Sequence, residues 1–257
     1  MRKNPSHPGI RDGDFENGII FHEYGHGLSN RLTGGPAVNC LSGNEQAGEG
    51  WSDFVAIAAM LDPALDDPNG PRGMGPYALF QANRQGNGIR PRPYSRNMEI
   101  QPFTYDSIKT NGWLNGTSLA LPHGLGHGWA AVLWDLTWDL IDKHGLNPNV
   151  YGDWDSGGNN RAIQYVVEGL KLQGCFPGLV VSSRAIIAAA PHATSSLARP
   201  KPRLRRRTGS VQAPGEQADR GPLAGRVEAR GALAGGVLGG EADHQAQLVA
   251  PLDLDVL

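Results

Sequence analysis

The stretch FHEYGHGLSNRLTGGP, Phe21 to Pro36, constrains this chain more than any other. His22 and His26 stand four residues apart in a run that carries Ile19, Ile20, Phe21, Tyr24 and Leu28. On a helix that spacing sends both rings off one face, one turn apart. Two neutral imidazoles so placed make half of a tetrahedral zinc site. Glu23 completes the His-Glu-x-x-His pattern, in which two helical histidines hold zinc and the glutamate handles protons. The plainer alternative is a surface helix with polar residues one turn apart. A fold that uses the pattern must carry a second element across this face.

GEGWSDFVAIAAML offers that element. Trp51, Phe54, Val55, Ile57 and Ala58 give a helical stripe, and Glu49 and Asp53, again four apart, share a face. Glu49 is expected on the metal. Asp53 is expected to orient a zinc-bound histidine through its distal N–H. The competing reading is two solvated carboxylates on an amphipathic helix. The density of aromatics argues for burial, and a buried carboxylate needs a partner. Two histidines and one carboxylate leave a fourth position for water, the mark of a catalytic zinc site.

The remaining organisation is mainly helical. Helices are predicted over about 17–32, 48–61, 126–144, 159–172 and 178–190, with a Pro-, Gly- and Asn-rich loop region over 62–122 that includes short helices. The net charge of −2 gives no reason to expect nucleic acid or a membrane surface as partner. No run approaches the roughly eighteen apolar residues of a spanning helix. Two cysteines, Cys40 and Cys175, allow one bridge and no cysteine-based metal site. All aromatics lie at or before Phe176, and from Pro191 onward the chain is dominated by Ala, Arg, Gly, Leu and Pro. The expected division is therefore a folded portion over 1–190 and a low-complexity, disordered tail over 191–257. Its abruptness favours a change of reading frame over a natural linker.

DGDFENGIIFHEYGHGLSNRLTGGP followed by GEGWSDF closely resembles the fungalysin metallopeptidases, secreted relatives of the thermolysin-like proteases. GIRPRPYSRNMEIQPFTY, PHGLGHGWAAVLWDLTWDLIDKHG and GGNNRAIQYVVEGLKLQGCFPG extend the likeness over about Gly13 to Ala188. The resemblance implies the C-terminal helical half of a thermolysin-like α+β zincin domain, an endopeptidase acting on proteins or peptides outside the cell. It implies one catalytic zinc ion on His22, His26 and Glu49, with Glu23 as the catalytic glutamate. His123 is the candidate donor to the oxyanion, with His127 as its rival. Arg90 resembles the arginine that holds a substrate carbonyl, and a structural arginine paired with a loop carboxylate is the alternative.

The chain also departs from the family pattern. Met1 falls barely twenty residues before His22, so the β-rich half, the propeptide and the signal sequence are expected to be missing. Ile19, Ile20 and Phe21 are then expected to be partly exposed, and Cys175 to have lost its usual partner. An inactive, truncated zinc-binding fragment is the competing reading.

Overall fold

Helices supply nearly all the regular structure in the computed structural model, which describes residues 2–3, 10–108, 113–114, 117–118, 121–152, 154 and 156–196. The elements described belong to the first of two units into which the chain divides. Strands among the described residues are two-residue pieces in antiparallel pairs. β1 (Arg2–Lys3) pairs with β2 (Ile10–Arg11), and β3 (Trp113–Leu114) with β4 (Thr117–Ser118).

α1 spans Asn17–Leu32. A 3-10 turn at Gly13–Phe15 leads into it, and the Glu16 side chain accepts from the Gly18 N–H at its start. Thr33 closes it, and Gly34 turns the chain away with φ +72°. α2 spans Gly48–Ala59 and stops short of the expected Leu61, because Asp62 precedes a proline and resists helical backbone. The predicted 62–122 region holds a 3-10 turn at Tyr77–Leu79, α3 (Tyr105–Ile108) and a bridge between Arg72 and Tyr94.

α4 spans His123–His144 and begins three residues before the expected 126. The glycines at 124, 126 and 128 weaken helix propensity, but this end is buried against α2, and packing overrides propensity. α5 spans Gly158–Leu172 and α6 spans Leu179–Ser196. α6 thus runs six residues past the expected boundary at Ala190. The remaining predicted tail, 197–257, lies outside the described residues.

α2 packs between α1 and α4, α5 packs on α4, and α6 on α5. Trp51, Phe54, Trp129, Leu133, Leu136, Tyr165, Leu170 and Ile186 lie in one buried cluster. Trp51 and Trp129 meet edge to face at 5.2 Å. Ile57, Met74, Tyr94, Trp134 and Trp138 form a second.

Two glycine crossings set the helix spacing. A Cβ on Gly25 would lie 2.7 Å from Ser52 Cα, so α1 and α2 touch backbone to backbone. A Cβ on Gly126 would lie 2.5 Å from Glu49 Cβ, and α4 crosses α2 as closely. Only glycine permits either approach.

Cys40 and Cys175 form a disulfide, the one bridge that two cysteines allow. The bridge ties the α1–α2 loop to the α5–α6 connection. The same junction carries hydrogen bonds from Phe176 N to Cys40 O and from Leu179 N to Glu45 Oε2. On α1, Ile20 is 48 % exposed and Tyr24 71 %. Ile19 and Phe21 are half-buried, as expected of partly uncovered positions.

Candidate metal centre

The crossing of α1 and α2 at Gly25 and Ser52 carries His22 and His26 over Glu49. One nitrogen of each histidine and one carboxylate oxygen lie within 4.8 Å of one another. His22 Nε2 is 3.3 Å from Glu49 Oε2, and His26 Nε2 is 3.6 Å from Glu49 Oε1. The two rings stand perpendicular with centroids 4.8 Å apart. Two imidazoles and a carboxylate converging in this way suit a zinc ion with one open position.

Asp53, one turn beyond Glu49, is fully buried. Its Oδ1 lies 2.7 Å from His22 Nδ1, with the ring N–H off the oxygen axis. Arg90 Nε donates to Oδ2 at 2.5 Å and Nη2 to Oδ1 at 2.8 Å. The Tyr94 hydroxyl also donates to Oδ2. Burial by itself would raise the Asp53 pKa, but His22 beside it and the bonds from Arg90 hold it well below the usual carboxylate range. Burial likewise opposes ionisation of Glu49, and its contacts with His22 and Arg90 overcome this, lowering it to about 2. For His22, burial disfavours the charged ring, but Asp53 and Glu49 outweigh it and raise the pKa to about 9. Burial and the neighbouring His22 push His26 the other way, downward. Without metal, the cluster is thus a set of carboxylates compensated by His22 and Arg90.

Arg90 is buried and its Nη2 also reaches Glu49 Oε2 at 3.0 Å. It therefore pairs with carboxylates, as the structural alternative expects, though these sit on α2 and not on a loop. It also lines the cavity over the cluster, and none of its hydrogen bonds to described residues uses Nη1.

His123 and His127 part company. The α2–α4 crossing places His123 at the cavity, 66 % exposed at its side chain, with Nε2 3.4 Å from Glu49 Oε1. His127, one turn on, is fully buried. It sits against the Tyr94 and Phe103 rings, with Nε2 2.7 Å from Gln101 Nε2. Burial drives its pKa down to about 3. It lies in the core, where an apolar residue is expected.

Glu23 is exposed and faces the cavity, whose volume is about 790 Å³. Ile19, Ala78, Ile89 and Leu121 form apolar parts of its wall, and Arg11 also lines it. Tyr94 and Arg11 are the residues that sequence reasoning missed. Tyr94 lies in a proline-rich stretch without periodicity, and Arg11 in a segment with no motif of its own.

Among the described residues, no helix is long and apolar enough to cross a membrane. The profile of the family described as Fungalysin metallopeptidase (M36) matches residues 4–199. Extracellular metalloproteinase 2 of Trichophyton tonsurans and extracellular metalloproteinase mep of Aspergillus fumigatus are each 44 % identical to the chain over 186 residues. Extracellular metalloproteinase 2 of Arthroderma gypseum is 42 % identical over the same length. In each case the match covers 70 % of this chain and 27 % of the relative, so the chain spans about a quarter of these proteins. With a family profile matched over most of its length, the chain belongs to the fungalysin metallopeptidases.

Proposed function

We propose that this chain carries the catalytic half-site of a secreted zinc endopeptidase, with one zinc ion held by His22, His26 and Glu49. The convergence of those three side chains, with His22 backed by Asp53, is the observation that carries the reading. Zinc bound there supplies a Lewis acid that activates water and polarises a scissile carbonyl.

The chain's own groups do the remaining work. Glu23 is the general base, taking a proton from the attacking water and returning it to the leaving amine. His123 donates to the oxygen on which charge develops. Arg90 fixes Asp53 and Glu49 in place and offers Nη1 to a substrate carbonyl. Asp53 holds the His22 ring in the orientation that directs Nε2 at the metal position.

A second reading, a chain that binds zinc without turnover, is favoured by the exposed Ile20 and Tyr24 on the outer face of α1. Zinc titration followed by hydrolysis of an internally quenched peptide separates the two. The enzyme reading expects turnover that Glu23→Gln abolishes while zinc affinity is retained. Tight zinc binding with no turnover by the parent chain would sink it.

A further inference from the structure

We infer that Tyr94 is a positioning residue of the candidate metal centre, whose hydroxyl anchors Asp53, and through it the His22 ring, to the core of the protein. This deepens the reading above and rests on its zinc site. Asp53 is fully buried, with Oδ1 2.7 Å from His22 Nδ1. Among the described residues, two donate hydrogen bonds to it. Arg90 does so through Nε and Nη2, and Tyr94 through its hydroxyl, to Oδ2. The two differ in what else they do. Arg90 lines the cavity and its Nη2 also reaches Glu49 Oε2 at 3.0 Å, so its fork is divided between two carboxylates. Tyr94 is fully buried and adds a donor without adding a charge. Burial and the Asp53 charge raise its pKa well above the ordinary 10, so the hydroxyl keeps the proton it donates.

Tyr94 is itself firmly held. Its backbone bridges to Arg72, with N to O at 2.8 Å in both directions. Arg72 is buried in turn, its Nη1 donating to Gly73 O at 2.9 Å and its Nε 3.3 Å from Asp66 Oδ1. The Tyr94 ring centre lies 4.9 Å from that of His127 on α4. The same ring belongs to the buried cluster of Ile57, Trp134 and Trp138. A hydroxyl on a ring locked in this way is a preorganised donor, and its bond to a carboxylate is of the stronger, charge-assisted kind. Without it, Oδ2 is a donor short where it is fully buried. The carboxylate is then left to a guanidinium that Glu49 also claims.

The test uses the full chain and reads metal binding, with no turnover required. Tyr94→Phe keeps the ring and removes the hydroxyl. Competition with a chromogenic chelator should show zinc held about tenfold more weakly than by the parent, the lower end of the range for partners that orient a ligand. The visible bands of the cobalt(II)-loaded chain, which report ligand geometry, should shift as well. Trp138→Phe, in the same buried cluster, should lower the melting temperature and leave both readouts at parent values. Parent-like zinc affinity in Tyr94→Phe overturns the assignment, and so do unmoved cobalt bands or equal changes in Trp138→Phe. Should Tyr94→Phe not fold, 3-fluorotyrosine introduced at Tyr94 keeps the packing and makes the hydroxyl a stronger donor. Displaced cobalt bands then support the role, and unmoved bands refute it. Metal binding without peptide cleavage sinks the endopeptidase reading and leaves these outcomes to decide for Tyr94. A parent chain that takes up neither metal overturns both.

Discussion

Asp53 Oδ1 lies 2.7 Å from His22 Nδ1, and Arg90 and Tyr94 occupy the rest of the same carboxylate. Asp53 reaches the candidate metal position through its partners, directly through His22 and by way of the Arg90 guanidinium it shares with Glu49. Asp53→Ala should therefore weaken zinc binding by about 10- to 100-fold, the range for partners that orient a ligand. Glu49→Ala, which removes a candidate ligand, should cost more. Competition with a chromogenic chelator measures both, and equal losses would show that the two carboxylates do not divide the work in this way.

Gly126 and Glu49 meet where α4 crosses α2. A methyl group on Gly126 must displace either the Glu49 side chain or the whole of α4. Gly126→Ala is expected to destabilise the fold by about 1–3 kcal/mol, as overpacking does, and to weaken zinc binding although no ligand is changed. Urea unfolding and a chelator titration on one preparation report the two effects. Unaltered zinc affinity would show that the crossing does not position Glu49.

His127 should make the chain acid-sensitive. Its folded pKa of about 3 lies below the ordinary 6.5, so the unfolded chain binds a proton that the folded one refuses. Stability contributed by the neutral ring is present above pH 6.5, falls as pH drops through the window down to about 3, and levels off below it. Glu49 has an ordinary value of 4.5 and about 2 in the fold, so its loss comes later. The interval between 6.5 and 4.5 is therefore the informative one. His127→Leu should flatten the fall of melting temperature across that interval relative to the parent chain. Parallel curves for the two would refute a neutral buried imidazole.

The family match ends at residue 199, and no aromatic residue follows Phe176. We propose that the segment beyond Arg199 makes no contribution to the metal centre, since its composition offers little to bury. A chain ending at Arg199 should keep its zinc affinity and its melting temperature. Loss of either would make the segment a structural part of the folded unit.

α1 is legible in the sequence because its signals agree: an apolar run, histidines one turn apart and a Thr-Gly-Gly-Pro stop. The juxtaposition of Glu49 with His22 and His26 is legible too, since two same-face pairs on two helices have one economical way to meet. The start of α4 is not, because three glycines oppose a helix that only contact with α2 stabilises. The three hydrogen bonds that Arg90 and Tyr94 donate to Asp53 are hidden for a related reason. Arg90 and Tyr94 come from an irregular segment about forty residues on, and no periodicity foretells where such a segment lands. The split between His123 and His127 also depends on burial. One turn of α4 separates a cavity residue from a core residue, while the sequence offers two similar histidines.

Cys40 and Cys175 bracket Glu49, Asp53, Arg90 and His123, while His22 and His26 lie on the stretch leading directly into Cys40. One cut anywhere between the two cysteines therefore yields two fragments that remain a single covalent molecule. The largely exposed turns over 63–69 and 82–87 are the natural places for such a cut. A chain nicked there still carries every group of its candidate metal centre on one particle. Breakage becomes dispersal only when the bridge is reduced as well.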